Sequence, residues 1–131
     1  MKLINRDVDY AARALIYMVN ANRPMVTVAS MKDDTGVSGP FLRKIMQKLH
    51  KAGLVQAVKG KGGGFALARR PESITLGQVA EVMQGPLKVQ DCIFGTELCG
   101  RHEVCRLRRR LTSMEGMLRA EMDRVTLLDL V

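Results

Sequence analysis

Residues 35–71 read TGVSGPFLRKIMQKLHKAGLVQAVKGKGGGFALARRP, and their reading decides the fold. Phe41, Leu42, Ile45, Met46 and Leu49 recur at the spacing of one helix face. Ser38 stands where a side-chain oxygen can cap that helix. Pro40 falls in its first turn, where a missing N–H costs nothing, and Gly53 suits the left-handed residue that ends it. Two short strand-like runs follow, residues 55–58 and 65–68. They are joined by Lys59-Gly60-Lys61-Gly62-Gly63-Gly64. A helix followed by a basic, glycine-tipped hairpin predicts a winged helix.

The same stretch holds eight Lys or Arg residues, Arg43, Lys44, Lys48, Lys51, Lys59, Lys61, Arg69 and Arg70, and no acid. The whole chain has 21 basic and 13 acidic residues, so the other 13 basic residues balance the acids and this stretch supplies the net +8. Charge confined to one region reads as a docking surface for nucleic acid; a solvated face is the plainer alternative.

Working back toward the N-terminus, Ala11, Ala12, Leu15, Ile16 and Val19 form an apolar stripe on a helix that ends near Asn20, with Asp9 as its cap. Thr27 is the expected cap of a short helix over residues 28–34, which Gly36 breaks. A short helix, a tight turn and a longer helix are in helix-turn-helix order. The exposed side of the second helix carries Ser38, Arg43, Lys44, Gln47, Lys48 and Lys51. Lys and Arg can neutralise phosphates or reach guanine edges, and Gln pairs with adenine edges. Ser38, Arg43 and Gln47 form the expected groove-facing set. Lys59, Lys61, Gly62 and Gly63 form the wing tip, where lysine meets phosphate and glycine permits close approach. A nucleotide-binding glycine loop is disfavoured, because no Lys-Ser/Thr pair and no helix follow the glycines.

Toward the C-terminus, Thr75 and Gln78 have capping-box spacing, and Ile74 and Val79 have staple spacing, on a helix that ends at Gly85-Pro86. The three cysteines, Cys92, Cys99 and Cys105, then follow at C-x6-C-x5-C. Close C-x2-4-C pairs typical of zinc are absent. The spread suits three thiolates on an iron–sulfur cluster, with a fourth ligand from elsewhere. Redox-sensing thiols and plain buried cysteines are the other readings, and His102 is a further potential ligand. Val104, Leu107, Leu111, Met114, Leu118, Val125 and Leu128 alternate at three and four, interrupted only at Glu121. A helix over residues 102–131 with that stripe would pair with its own copy.

At 131 residues and 47% hydrophobic composition, the chain suits one domain with a projecting helix. No window of about 18 residues is apolar enough to span a membrane, and the first residues lack a signal-peptide core, so a cytoplasmic protein is expected. No Ser-His-Asp set, paired-acid motif or HxxxH arrangement supports an enzyme, and His50 and His102 lie in unrelated segments.

Several stretches together resemble one family. They are Met1-Lys2-Leu3, Asp9-Tyr10-Ala11, Phe41-Leu42-Arg43-Lys44-Ile45, Lys51-Ala52-Gly53-Leu54-Val55, Gly62-Gly63-Gly64-Phe65, and the three cysteines before a long helix. The chain resembles the bacterial iron–sulfur transcription regulators of the IscR, NsrR and RirA type. The resemblance implies a homodimer on a palindromic site in double-stranded DNA, with an iron–sulfur cluster on Cys92, Cys99 and Cys105 that senses iron, redox state or nitric oxide. It favours [4Fe-4S] over [2Fe-2S]. In the cluster-assembly regulator a histidine stands three residues after the last cysteine; here that place is Arg108, which cannot ligate. The nitric-oxide-sensing type uses an N-terminal aspartate reached from the partner subunit, and Asp9 matches that place, with Asp7 and His102 in reserve.

The resulting expectation is a mainly α fold with a small β-hairpin: a winged helix-turn-helix plus a long C-terminal dimerisation helix. Residues 1–90 form the DNA-binding domain, 91–105 the cysteine loop and 102–131 the dimerisation helix. Direct thiol oxidation without a cluster is the alternative switch.

Overall fold

A computed structural model describes residues 2–89 and 104–131. Helix α1 (Arg6–Asn20) is capped by Asn5, whose Oδ1 accepts the Val8 N–H at 2.9 Å. The expected cap, Asp9, lies inside the helix and pairs with Arg13 at 3.0 Å. The helix starts earlier than expected because extended Asn5 turns its own side chain back onto the free N–H groups. Its buried face is Val8, Ala11, Ala14, Leu15 and Met18. Ala12, Ile16 and Val19 are only half-buried, so the stripe is rotated from the predicted one.

Helix α2 (Val28–Thr35) has a reciprocal cap: Ser30 N–H donates to Thr27 Oγ1 at 3.1 Å, and Thr27 N–H donates to Ser30 Oγ at 3.2 Å. Gly36, at φ 71°, ends it in the left-handed region that glycine adopts without strain. Helix α3 (Gly39–Lys51) buries Leu42, Ile45, Met46 and Leu49. Ser38 is its N-cap by position, but its hydroxyl makes no capping bond. Phe41, on the same apolar face by spacing, is 38% exposed at its edge.

Strands β1 (Val55–Val58) and β2 (Gly64–Leu67) pair antiparallel, with Val55 opposite Leu67 and Val58 opposite Gly64. The second strand begins one residue earlier than expected, because Gly64 closes the ladder. Val26, ahead of α2, exchanges two backbone bonds with Phe65, at 2.7 and 2.9 Å. These bonds anchor the hairpin to the helical head.

A single 3-10 turn at Pro71–Ser73 leads to α4 (Leu76–Gln84). The Thr75–Gln78 capping box forms in both directions, at 3.0 and 3.1 Å, and the staple residues Ile74 and Val79 are both buried. Helix α4 packs on α1 and against α5 (Arg106–Arg124).

Helix α5 is shorter than the expected 102–131. At Val125 the chain becomes extended, and Val125 O accepts the Leu76 N–H at 2.8 Å. Thr126 bridges Thr75, and Leu127 N–H donates to Ile74 O at 3.0 Å. Leu127 is 1% exposed and starts a terminal 3-10 turn, Leu127–Leu130. The tail therefore belongs to the core formed by α1–α4. Among the described residues, no helix is long and apolar enough to cross a membrane.

Candidate nucleic-acid interface and cysteine segment

Leu42, Ile45, Met46 and Leu49 hold α3 against the head, so its opposite side is left to solvent. Ser38, Arg43, Lys44, Gln47 and Lys51 are exposed there, and Lys48 is half-buried. Because Ser38 makes no capping bond, its hydroxyl stays available to a ligand. Among the described residues, none of the cations of α3 or of the wing tip forms an ion pair. Their charge is thus directed outward rather than neutralised within the chain.

Lys59 and Lys61 are exposed at the wing tip, where Gly60 at φ 98° and Gly62 at φ 78° flank Lys61. The turn closes with Gly63 N–H donating to Gly60 O at 3.0 Å. A Cβ on Gly63 would collide with Val58 O, and one on Gly64 would collide with Val26 O. These two glycines are thus required by the hairpin's own backbone, whereas Gly62 lies in open space. Of the expected DNA-binding residues, the structure places Arg43, Lys44, Gln47 and Lys48 on α3 with Ser38 at its N-cap, and Lys59, Lys61, Gly62 and Gly63 on one turn.

Cys105 is the N-cap of α5, a half-exposed free thiol whose sulfur accepts the Arg108 N–H at 3.5 Å. The helix N-terminus directs its partial positive charge at that sulfur. Cys92, Cys99 and His102 lie outside the described residues. The described residues on either side of that segment bond to α5. Ahead of it, Val89 N–H donates to Glu115 Oε2 at 3.2 Å, and Arg119 donates to Leu87 O at 3.1 Å and to Glu115 Oε1 at 3.2 Å. Beyond it stands Cys105 itself. Asp9 presents a carboxylate, 44% exposed at the side chain, in contact with Arg13. Among the described residues, no three His, Cys, Asp or Glu side chains converge on one point. As donors, the accessible Cys105 sulfur and the accessible Asp9 carboxylate are chemically suited to iron, the soft thiolate most of all.

From Cys105 onward, α5 carries Leu107, Met114 and Met117 at 66%, 53% and 71% exposure, while only Met122 is buried. Exposed apolar residues in such a row form the kind of surface through which chains associate. One cluster was not anticipated from the sequence. The Arg6 guanidinium lies over the rings of Phe41 and Tyr10, joining α1 to α3. Arg6 and Tyr10 are one helical turn apart, but Phe41 is 35 residues from Arg6, so helical spacing alone could not have brought it to them.

The family model Rrf2, described as an iron-dependent transcriptional regulator, matches residues 4–131. Among solved structures, a Listeria innocua chain is similar at 24% identity and TM-score 0.82, over 99% of this chain and 85% of that one. CymR, the global cysteine regulator of B. subtilis, is similar at 24% identity and TM-score 0.79, over 99% of this chain and 96% of that one. IscR of T. potens is similar at 25% identity and TM-score 0.76, over 99% of this chain and 85% of that one.

Proposed function

The chain belongs to the Rrf2 family of iron-dependent transcriptional regulators, and from that premise we propose that it is a homodimeric DNA-binding regulator whose cysteine segment sets its affinity for DNA. The observation that carries this reading is the layout of the fold. Among the described residues, the cations of α3 and of the wing tip are at least partly exposed and form no ion pair, and a helix with an exposed row of apolar residues begins at a cysteine. Two copies joined along α5 would present two α3 helices to a palindromic duplex. On this reading residues 1–90 are the DNA-binding head, 91–105 the sensor and 102–131 the dimerising segment. Because Cys105 caps α5, and Val89 and Leu87 just ahead of the sensor bond to Glu115 and Arg119 of the same helix, a change in the sensor's shape would bear on the dimer and on the separation of the heads.

Two chemistries for the sensor draw on different observations. Direct thiol oxidation is supported by the accessible Cys105 thiol at a helix N-terminus. It is also supported by fold likeness to S. aureus CymR in its oxidised form, at 20% identity and TM-score 0.75 over 99% of this chain and 95% of that one. An iron–sulfur cluster, [4Fe-4S] before [2Fe-2S], is supported by the family's iron dependence and by the likeness to IscR. Cys92, Cys99 and Cys105 would hold it, with Asp9 of the second copy as fourth ligand, and it would supply a redox- and iron-responsive centre.

Iron and sulfide per chain, measured on protein purified without oxygen, separate the two. About four of each, or about two of each, supports a cluster of the corresponding type. None after reconstitution leaves the thiols as the switch.

A further inference from the structure

We propose that Arg6, held on the rings of Phe41 and Tyr10, is a phosphate-contacting residue of the DNA interface, on the flank of α3 away from Arg43. This rests on the reading that α3 enters a major groove.

Phe41 sits in the first turn of α3, the end that goes deepest into a groove, and it is partly exposed on the boundary between the buried and the basic faces. Its ring meets Tyr10 of α1 edge to face, at 6.1 Å and 71°. The Arg6 guanidinium carbon lies 5.1 Å from the Phe41 ring centre and 6.0 Å from that of Tyr10. The first turn of α1 is thereby joined to the flank of the first turn of α3.

An α-helix with its side chains is about 10–12 Å wide, and the major groove is about 12 Å wide. A helix inserted there has little lateral clearance. Whatever stands on its flank near the inserted end therefore meets the wall of the groove, which is sugar and phosphate. Arg6 is exposed at that place, and among the described residues it makes no ion pair. The neighbouring carboxylate that could have neutralised it, Asp9, is turned to Arg13 instead. Stacking on the rings restricts the long Arg side chain before DNA arrives, which lowers the ordering cost of the contact. A planar guanidinium on an aromatic face still directs its N–H groups outward at a phosphodiester oxygen.

The test uses the full-length protein and a duplex selected by the wild type from a random-sequence library. Log affinity is measured against log KCl concentration. A phosphate contact contributes about 0.9 to the slope, so Arg6→Ala should lower its magnitude by about 1.8 in a dimer and weaken binding by about tenfold or more near 0.1 M salt, leaving the preferred sequence unchanged. Arg6→Lys should keep the slope while weakening binding, because charge stays and stacking is lost. Phe41→Ala should weaken binding in the wild type more than in the Arg6→Ala background. Lys44→Ala is the control for the α3 reading. If Lys44→Ala weakens binding but Arg6→Ala leaves both slope and affinity unchanged, the Arg6 contact is overturned and the α3 reading stands. If the wild type selects no sequence from the library, the α3 reading itself falls and takes this contact with it. Thermal unfolding of the two Arg6 variants should match the wild type, since Arg6 is exposed; a drop for Arg6→Ala that accompanies an unchanged slope would assign it a structural role instead.

Discussion

Replacing Leu127 by Ala tests where the C-terminal helix ends. Leu127 is 1% exposed and lies in the core, held in place by its own N–H bond to Ile74 O and by the Thr75–Thr126 bridge. A Leu→Ala change at such a site loses transfer energy and leaves a cavity, costing about 3 kcal/mol. Against a total stability on the order of 5–15 kcal/mol, that is a large fraction. With a urea slope of about 1.5 kcal/mol per M, the unfolding midpoint should fall by about 2 M at unchanged slope. Leu128, in contrast, is 54% exposed, and its replacement by Ala should cost far less. Both variants are unfolded in urea at one protein concentration, because a dimer's apparent stability depends on concentration. A helix continued to residue 131 predicts the reverse order, since Leu128 and not Leu127 lies on its apolar stripe. Leu127→Ala within about 0.5 kcal/mol of wild type, or Leu128→Ala the costlier of the two, would refute the folded-back tail.

Three further outcomes are expected. Thr75→Ala removes the cap of α4 and should cost about 1 kcal/mol in thermal or urea unfolding. Gly63→Ala sets a methyl group against Val58 O and should lower both stability, by about 1–3 kcal/mol, and DNA affinity measured by fluorescence anisotropy; Gly60→Ala meets open space and should pay only the backbone strain of its positive φ, about 1–2 kcal/mol. Leu107→Glu combined with Met114→Glu should give monomers in sedimentation velocity while circular dichroism keeps its helical signal, because both side chains are exposed within a single chain; an intact dimer would show that α5 is not the mating surface.

The helix starts at Thr27 and Thr75 were legible because their capping bonds run to residues three positions on, within one turn. The wing was legible for a similar reason: four glycines and two lysines between two strand-like runs leave few backbone alternatives, and only the start of the second strand differs from expectation, by one residue. The basic row of α3 followed from helical spacing alone. Asp9 was misread as a cap because Asp is a good cap in general, while the competing Asn5 lies only one turn earlier and the choice depends on how the chain enters the helix. Phe41 lies at the edge of the apolar stripe, where a neighbouring helix decides whether a ring is covered, so its 38% exposure could not be read from spacing.

The sequence by itself thus determined the order of the helices, the hairpin, the one-sided charge and the positions of Cys92, Cys99 and Cys105, because each of these is a property of near neighbours along the chain. Only the tertiary structure decided that α5 stops at Arg124, that Leu127 rather than Leu128 is buried, and that Arg6 reaches the flank of α3. Those outcomes depend on partners some 35 to 53 positions away in sequence, such as Ile74 and Thr75 for the tail and Phe41 for Arg6. Periodicity is set by a helix's own geometry, whereas the end of a helix and the placement of its margin are set by what packs against it.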